Sequence, residues 1–252
     1  MRTVRTLYCD CLPRRIFRWI LMPSLPVGGL LKPTPGGVYA INEQMKHDLL
    51  NARMEHACNL GALIADESSP GMPLSRLHCR SRSVDELQPA ARLTGIPEIE
   101  RISIFHALNS KAVSRKYAAS IGKHYEELNL IVVHLGGGIS VGAHCKGRVI
   151  DVNNALNGEG PFSPERAGTI PADQLAELCF SGKYTLKQIK KMLNGKGGLT
   201  AHLGMNDVVT IARKASEGEE LIKGYWMRCS IRWRNRQGPC MSRSVGRWMP
   251  LF

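Results

Sequence analysis

One polar side chain and a run of glycines lie close enough along the chain to bind an anion together. His134 ends an apolar, β-branched run at 130–133, and Gly136, Gly137 and Gly138 follow it. Glycines let the backbone turn tightly with positive φ and leave N–H groups facing the space opposite. The pattern predicts an anion cradle with the His134 imidazole beside it. A flexible hairpin tip explains the three glycines equally well.

Two further side chains could neutralise the charge of a phosphate. His106 follows an aromatic residue, Phe105, at a predicted helix start, where a core histidine bonded to the backbone is the more common interpretation. Arg166 lies in the stretch 153–168, which is rich in Gly, Pro and Asn and too long for an idle connection. An arginine there is either solvated or a phosphate clamp.

The elements that must position these residues form an α/β pattern. Strands at 130–133, 139–144 and 149–152, with a tight turn at 145–148, predict a meander. An apolar face predicts a helix over 103–122 that leads into it. The remaining patterns predict a strand at 38–41, a helix from Asn42 to about Ala65, a helical stretch opened by Pro97, and helices at 171–180, 185–193 and 206–223.

The formal net charge of +13 is confined to three tracts of the chain. Residues 1–26, 68–83 and 224–252 hold all four Trp, fourteen Arg and no Lys, and the remaining residues are neutral in sum. Such a change in residue usage is typical of a GC-rich gene read out of frame, so we interpret the tracts as frameshift products. Basic arms for nucleic acid are the alternative, favoured by the interleaved Arg232, Trp233 and Arg234 but without period or motif.

Several classes of protein are disfavoured by the sequence. The apolar run near Arg14 and Arg15 is short and interrupted by Arg18, unlike a secretory signal, and no run reaches the length of a membrane span. The eight cysteines lack paired spacing, which argues against a disulfide scaffold or a zinc site. We expect a cytoplasmic protein with no metal ligands of its own, no nucleic-acid partner and no membrane partner.

Several long motifs, in the right order, resemble butyrate kinases. These belong to the acetate kinase family, within the superfamily of acetate and sugar kinases, heat-shock chaperones and actin. The resemblance covers about 28–67 and 84–223. The motifs are 28–33, 55–62, Gly-Ile-Pro-Glu-Ile-Glu-Arg at 95–101, Phe-His-Ala-Leu-Asn at 105–109, His-Leu-Gly-Gly-Gly-Ile-Ser-Val-Gly-Ala-His at 134–144, 147–156, Gly-Glu-Gly-Pro-Phe-Ser-Pro-Glu-Arg-Ala-Gly at 158–168, and 195–198.

The resemblance implies Mg²⁺-dependent, reversible phosphoryl transfer from ATP to a short- or branched-chain carboxylate. It makes His106 and Arg166 the catalytic residues that stabilise the transferring phosphoryl group. It makes His134, Gly136, Gly137 and Gly138 the phosphate and nucleotide site, with Phe105 and Pro164 as walls of the acyl pocket. A homo-oligomer is implied as well. Phosphoryl transfer depends mainly on positioning and charge neutralisation, which these residue types supply.

The resemblance also implies an actin-like (ribonuclease H-like) duplicated-domain kinase fold, here incomplete at both ends. The predicted division is a non-homologous tract 1–26, a first-domain remnant 27–125 interrupted by 68–83, a second domain 126–223 with the glycine loop, and a non-homologous tract 224–252. Val27 stands where the family has the arginine expected to bind the carboxylate. The first phosphate loop and, after Lys223, the rest of the adenosine pocket with a catalytic glutamate do not match the family pattern.

Three expectations follow. The chain should have no more than trace kinase activity, so a catalytically inactive remnant is the alternative function. The three tracts should pack poorly, with Trp226, Trp233 and Trp248 exposed or touching only each other. His106, His134 and Arg166 should still converge on the turn formed by Gly136–Gly138, which we call the glycine corner.

Overall fold

The computed structural model describes residues 29, 31–52, 57–68, 78–80, 84–242 and 249–251. The side chains of 57, 67–68, 78–80, 232–242 and 249–251 are not part of this description. The tract 1–26 and Val27 lie outside it, as do the indole rings of Trp233 and Trp248. The chain forms two compact units, Met1–Val84 and Asp85–Phe252. The boundary between them falls between residues 84 and 85 of the sequence, whereas the predicted domain boundary falls between 125 and 126. The assignment to first and second kinase domains stays a prediction.

The first unit combines a two-stranded sheet with two helices. Strands β1 (Val38–Ala40) and β2 (His78–Arg80) pair antiparallel, and helices α1 (Glu43–Leu50) and α2 (Leu60–Ser68) follow β1 along the chain. Its core comprises Ile41, Met45, Leu49 and Ala62, with Leu31, Tyr39 and Ala65 packed against it. The helix start at Asn42 is confirmed, because the Asn42 side chain accepts a 2.8 Å hydrogen bond from the Met45 N–H.

The second unit contains the predicted meander, extended by one strand. Strands β3 (Asn129–Leu135), β4 (Ile139–Cys145) and β5 (Arg148–Val152) run antiparallel, and β6 (Met249–Leu251) pairs parallel with β3, so the order is β5-β4-β3-β6. Lys146 and Gly147 have φ of 48° and 82°, the backbone that a two-residue hairpin loop requires. The predicted strands and turn are confirmed.

Helices precede and follow this meander along the sequence. They are α3 (Pro89–Arg92), α4 (Ala107–Ser120), α5 (Ala172–Phe180), α6 (Leu186–Leu193), α7 (Leu199–Leu203), α8 (Val208–Ser216) and α9 (Glu220–Ser242). β3 is buried on both faces. Leu130 and Val132 join a cluster with Ala118 of α4, Tyr125 and Leu128, whereas Ile131 and Val133 join Ile139, Val141, Ala143 and Cys229.

Three helix predictions are wrong, two in their extent and one in the kind of element. The helix from Asn42 ends at Leu50, because the backbone and side-chain amides of Asn51 both donate to the His47 carbonyl. Pro97 opens a turn rather than a helix, since the Thr94 hydroxyl contacts the carbonyls of Ile96 and Ile99. The predicted helix 206–223 is two helices separated at Gly218, whose φ of 92° is left-handed.

The expectation that the three tracts pack poorly is also wrong for their described parts. Residues 78–80 form β2, α9 extends into the third tract as far as Ser242, and 249–251 pair with β3 in the main sheet. Cys229 is 4% exposed in the sheet's core cluster, and Trp226 packs against the cluster of Leu199, Ile211, Ala215 and Ile222. Residues of the third tract therefore pack into the core although the composition of this tract differs from that of the rest of the chain. The frameshift origin stays a prediction.

A buried histidine, His144, makes the stability of this core depend on pH. His144 is fully buried, its Nδ1 lies 2.6 Å from the Tyr125 hydroxyl, and its Nε2 has no partner among the described residues. Burial, and then the charge of Lys111, lowers the pKa of His144 to about 3, and burial raises the pKa of Tyr125. The native ring is therefore neutral, whereas the unfolded chain protonates it below about pH 6.5.

Stability should consequently fall as the pH drops through the window between these two values. The free energy of unfolding should lose about 1.4 kcal/mol per pH unit from His144 alone below about pH 6. Urea unfolding of the parent and His144→Gln between about pH 7 and pH 4 measures this slope. Glutamine can still accept from Tyr125 but does not titrate, so the variant should show the shallower slope. Equal slopes would contradict the prediction.

Candidate active site at the glycine corner

The two candidate histidines meet above the glycine corner. His106 caps the start of α4 and His134 lies near the end of β3; their rings stack with centroids 3.7 Å apart and planes 11° from parallel. His106 Nδ1 lies 3.0 Å from Ser140 Oγ, and His134 Nδ1 lies 2.9 Å from Asn109 Nδ2. Each ring is thus oriented by a side chain from a different element.

The contact with Asn109 determines which nitrogen of His134 carries the proton. An amide NH₂ group can only donate, so Nδ1 of His134 accepts, and the neutral ring carries its hydrogen on Nε2. Burial also lowers the pKa of His134, which favours this neutral form. Nε2 lies 3.2 Å from the position that a Cβ on Gly136 would occupy. A hydrogen-bond donor is therefore directed at the corner.

Close approach, and not the predicted backbone conformation, explains a glycine at this corner. The prediction of positive φ is wrong, since none of Gly136, Gly137 and Gly138 adopts the left-handed region. A Cβ on Gly138 would stand 2.9 Å from the Ala155 carbonyl oxygen, a backbone atom, so glycine is required at this position. A Cβ on Gly137 would stand 3.1 Å from Glu165 Oε2, the end of a side chain that can move. Gly137 is exposed, whereas Gly138 is buried beneath it.

Gly138→Ala should therefore displace the corner, because a backbone carbonyl cannot move away as a flexible side chain can. We expect a loss of about 1 to 3 kcal/mol in the free energy of unfolding. Gly95→Ala is the matched control, since its Cβ would meet nothing within 4 Å; its effect should stay within about 0.5 kcal/mol. Urea unfolding of both variants compares them, and equal losses would contradict this account.

The long loop 153–168 is fixed to the glycine corner by two donors. Ser163 Oγ, at 2.6 Å, and the Glu165 N–H, at 3.1 Å, both donate to the Gly137 carbonyl. Gly198 supports the loop from behind, because its φ is 64° and any side chain there would overlap the Ser163 carbonyl. The loop is irregular, as predicted, but firmly held.

Arg166 reaches the corner through its neighbour Glu165. Its Nη1 lies 3.3 Å from both the backbone oxygen and Oε2 of Glu165, and Oε2 is the atom nearest the Gly137 Cβ position. Arg166 Nε is buried without a partner among the described residues. Arg166 therefore lies on the same side as the glycines, with a carboxylate between. Its ion pair with Glu165 is long for a charge-assisted contact, so Nη1 is held only weakly.

The predicted acyl-pocket residues lie inside the second unit. Phe105 is 5% exposed, and Pro164 is buried with its carbonyl accepting from both the N–H and the hydroxyl of Thr200. A described cavity of about 460 Å³ is lined largely by apolar residues such as Phe162, Leu175 and Ile189, and neither Phe105 nor Pro164 is among its lining residues. Their role as acyl-pocket walls stays a prediction.

Sequence reasoning did not single out four residues that complete the site: Asn109, Ser140, Ser163 and Glu165. Asn109 and Glu165 lie in the Phe-His-Ala-Leu-Asn and Pro-Glu-Arg motifs, which carried the signal. Within the described residues, no group of three His, Cys, Asp or Glu side chains could hold a metal, and no helix is long and apolar enough to span a membrane. The carboxylate of Glu165 at the corner is paired with Arg166 at 3.3 Å, so Mg²⁺ would be held there mainly by substrate phosphates and water.

A family model described as the Acetokinase family matches residues 99–230, a range that includes all the site residues named above. The chain belongs to the acetokinase family. The match continues into the third tract, as far as residue 230. This acetokinase-family chain also resembles two curated bacterial proteins and several solved structures.

Both curated relatives are named "Probable butyrate kinase". The one from Phocaeicola vulgatus is 91% identical over 197 residues, covering 78% of this chain and 56% of the relative. The one from Bacteroides thetaiotaomicron is 54% identical over 194 residues, covering 77% of this chain and 55% of the relative. The chain thus spans about half the length of these relatives. The activity and substrates of a full-length kinase are therefore only proposed for this chain.

The solved structures establish the predicted fold class. Acetate kinase from Porphyromonas gingivalis aligns with a TM-score of 0.72 at 19% identity, covering 84% of this chain and 57% of that one. A propionate kinase from Francisella tularensis aligns with the same TM-score at 21% identity, covering 86% and 59%. At such identities the likeness shows the fold and does not specify a substrate.

Proposed function

We propose that this chain takes part in reversible phosphoryl transfer between ATP and a short- or branched-chain carboxylate, giving an acyl phosphate and ADP. Butyrate is the proposed acceptor, because both curated relatives are named for it. The observation that supports the proposal is the stacked His106–His134 pair at a glycine corner that also holds Glu165 and Arg166. Family membership makes a carboxylate kinase the function that this arrangement fits best.

Each side chain has a role that its contacts support. The Nε2–H of His134 and the backbone N–H groups of the glycine turn hold phosphate oxygens; of the three glycines, Gly137 is exposed and Gly136 is partly exposed, whereas Gly138 shapes the turn from below. His106, oriented by Ser140, stabilises the transferring phosphoryl group, and the guanidinium of Arg166 neutralises its charge. Mg²⁺ would supply further charge neutralisation between the phosphates. Phe105 and Pro164 are proposed to face the acyl chain.

One sequence observation favours a second candidate, a chain that binds nucleotide without turning it over. Val27 stands where the family pattern has the arginine expected to bind the carboxylate. Losing one charge-stabilising donor lowers enzyme rates by about 100- to 1,000-fold. We therefore expect no more than trace butyrate-dependent turnover, at a rate lower by at least this factor than that of the butyrate kinases the chain resembles.

Two measurements on the full chain test the proposal. Isothermal titration with ADP and Mg²⁺ reports binding, and trapping of acyl phosphate with hydroxylamine reports turnover with and without butyrate. We expect ADP binding and slow butyrate-dependent product, and Val27→Arg should increase the rate. Binding without product in either chain supports the inactive alternative, and no ADP binding refutes both. Sedimentation tests the homo-oligomer that the resemblance implies.

A further inference from the structure

The side chain of Asn109 contacts the candidate phosphate ligand His134 from the first turn of α4. Asn109 is the third residue of this helix and is exposed, so core packing does not explain an asparagine here. Its Nδ2 lies 2.9 Å from Nδ1 of His134, and this bond joins the start of α4 to the end of β3. Asn109 can therefore affect the glycine corner through the imidazole of His134.

The bond from Asn109 distinguishes among the protonation states of His134. An amide NH₂ group can only donate, so Nδ1 of His134 must keep its lone pair. An imidazolium carries a hydrogen on each nitrogen and would lose this bond. The neutral ring with its hydrogen on Nε2 is the form that accepts from Asn109 and still donates to an anion.

The surroundings of His134 also oppose a positive charge on its ring. The ring stacks on His106 with centroids 3.7 Å apart, so charging both would place like charges in contact. Both rings lie at the N-terminus of α4, whose positive dipole end disfavours a cation. The cross-strand neighbour on β4 is the uncharged Ser140. Glu165 and Arg166, the charged groups described at the corner, pair with each other.

We infer that Asn109 is a positioning residue that holds His134 as a neutral Nε2–H donor, so that nucleotide binding at the glycine corner does not follow a histidine titration near pH 7. The inference rests on the proposed function, since the anion at the corner is a nucleotide phosphate. An unrestrained histidine changes its charge close to neutral pH, and its attraction for an anion changes with it. A neutral donor held by an amide offers the same hydrogen bond across that range.

Asn109→Asp tests this role, because it replaces the amide donor by an acceptor of nearly the same shape. A carboxylate accepts from Nδ1–H, so the neutral ring of the variant should carry its hydrogen there and turn the Nε2 lone pair toward the phosphate. The carboxylate also favours the imidazolium and should raise the pKa of His134. Gln174→Glu is the matched control, since it exchanges an amide for a carboxylate at an exposed position of α5.

Nuclear magnetic resonance of the ¹⁵N-labelled imidazoles reads the proton position without any nucleotide. His134→Gln assigns the signals of His134, because they disappear in that variant. In the parent and in Gln174→Glu, we expect a proton on Nε2 and none on Nδ1 between about pH 6.5 and pH 8. In Asn109→Asp, we expect a proton on Nδ1 at the upper end of this range and protons on both nitrogens at the lower end.

Calorimetric titration with ADP over the same pH range measures the consequence for binding. The phosphate of ADP titrates near this range as well, so each variant is compared with the parent at the same pH. The affinity of Asn109→Asp relative to the parent should fall about threefold or more from about pH 6.5 to pH 8, as its imidazolium is lost. The relative affinity of Gln174→Glu should stay constant.

Three results would overturn the inference. A proton on Nδ1 of His134 in the parent would mean that Asn109 presents its carbonyl oxygen and does not hold the donor form. An Asn109→Asp protein that keeps the parent's proton position, or that loses the same factor of affinity at every pH, would show a merely structural role while the nucleotide site stands. If the parent binds no ADP at any pH, the proposed function fails and the inference about nucleotide binding fails with it.

Discussion

Arg166→Ala should lower butyrate-dependent acyl phosphate formation by about 100- to 1,000-fold, the loss typical of a single charge-stabilising donor. Within the part of the chain that the structure describes, the guanidinium makes two contacts of 3.3 Å, both with Glu165, and its Nε has no partner. A partly buried arginine with two long contacts contributes little to stability. Its proposed role is instead to bind the transferring phosphoryl group.

The same substitution should therefore change the free energy of unfolding by less than about 1 kcal/mol. Radiolabelled ATP resolves the slow rates, and urea unfolding measures stability. Arg166→Lys is the control: it keeps the charge but loses the planar fork, so it should retain part of the rate. An Arg166→Ala protein that is as active as its parent, or that loses rate only because it unfolds, contradicts the proposed role.

Arg101→Ala should have the largest effect on stability, about 3 to 5 kcal/mol. Arg101 donates to Asp151 Oδ1 at 2.8 Å, to Glu159 Oε1 at 2.9 Å and to the carbonyls of Ala91 and Val152 at 2.6 and 2.8 Å. Asp151 is only 2% exposed. Truncation would leave its charge in the interior without the cation that compensates it.

Arg213→Ala is the matched control for Arg101. Arg213 pairs with Glu217 one helical turn away, and both side chains are at least half exposed, so its loss should cost less than about 0.5 kcal/mol. Urea unfolding of the two variants gives the comparison. Because Glu159 belongs to the loop that carries Arg166, Arg101→Ala should also weaken ADP binding. Similar small losses for both substitutions would show that the buried network is not a stabilising unit.

Within the second unit, local patterns in the sequence were sufficient to predict the elements beside the site. The meander at 129–152, its hairpin turn and the helix after His106 follow from alternation, β-branched residues and turn chemistry, which act between near neighbours. Helix ends were less predictable. Asn51 and Gly218 end helices through bonds and dihedrals that an apolar period does not record.

The third of the Arg-rich tracts, 224–252, shows where its unusual composition led to a wrong prediction of poor packing. Cys229 lies in the sheet's core and 249–251 pair with β3, although the tract has no apolar period of its own. Strand pairing uses backbone groups that every sequence has, and a core position needs only an apolar residue of suitable size. Poor packing does not follow from unusual composition.

The sequence by itself determined the family, the candidate residues and the glycine corner between two strands. Only the tertiary structure decided how they meet: the His106–His134 stack, the contact of Glu165 with Asn206 forty-one residues away, and the close approach to the Ala155 carbonyl that requires glycine at Gly138. The physical reason is range. Propensity and turn chemistry act over a few residues, whereas a site's distances and charges depend on packing between elements far apart in the chain.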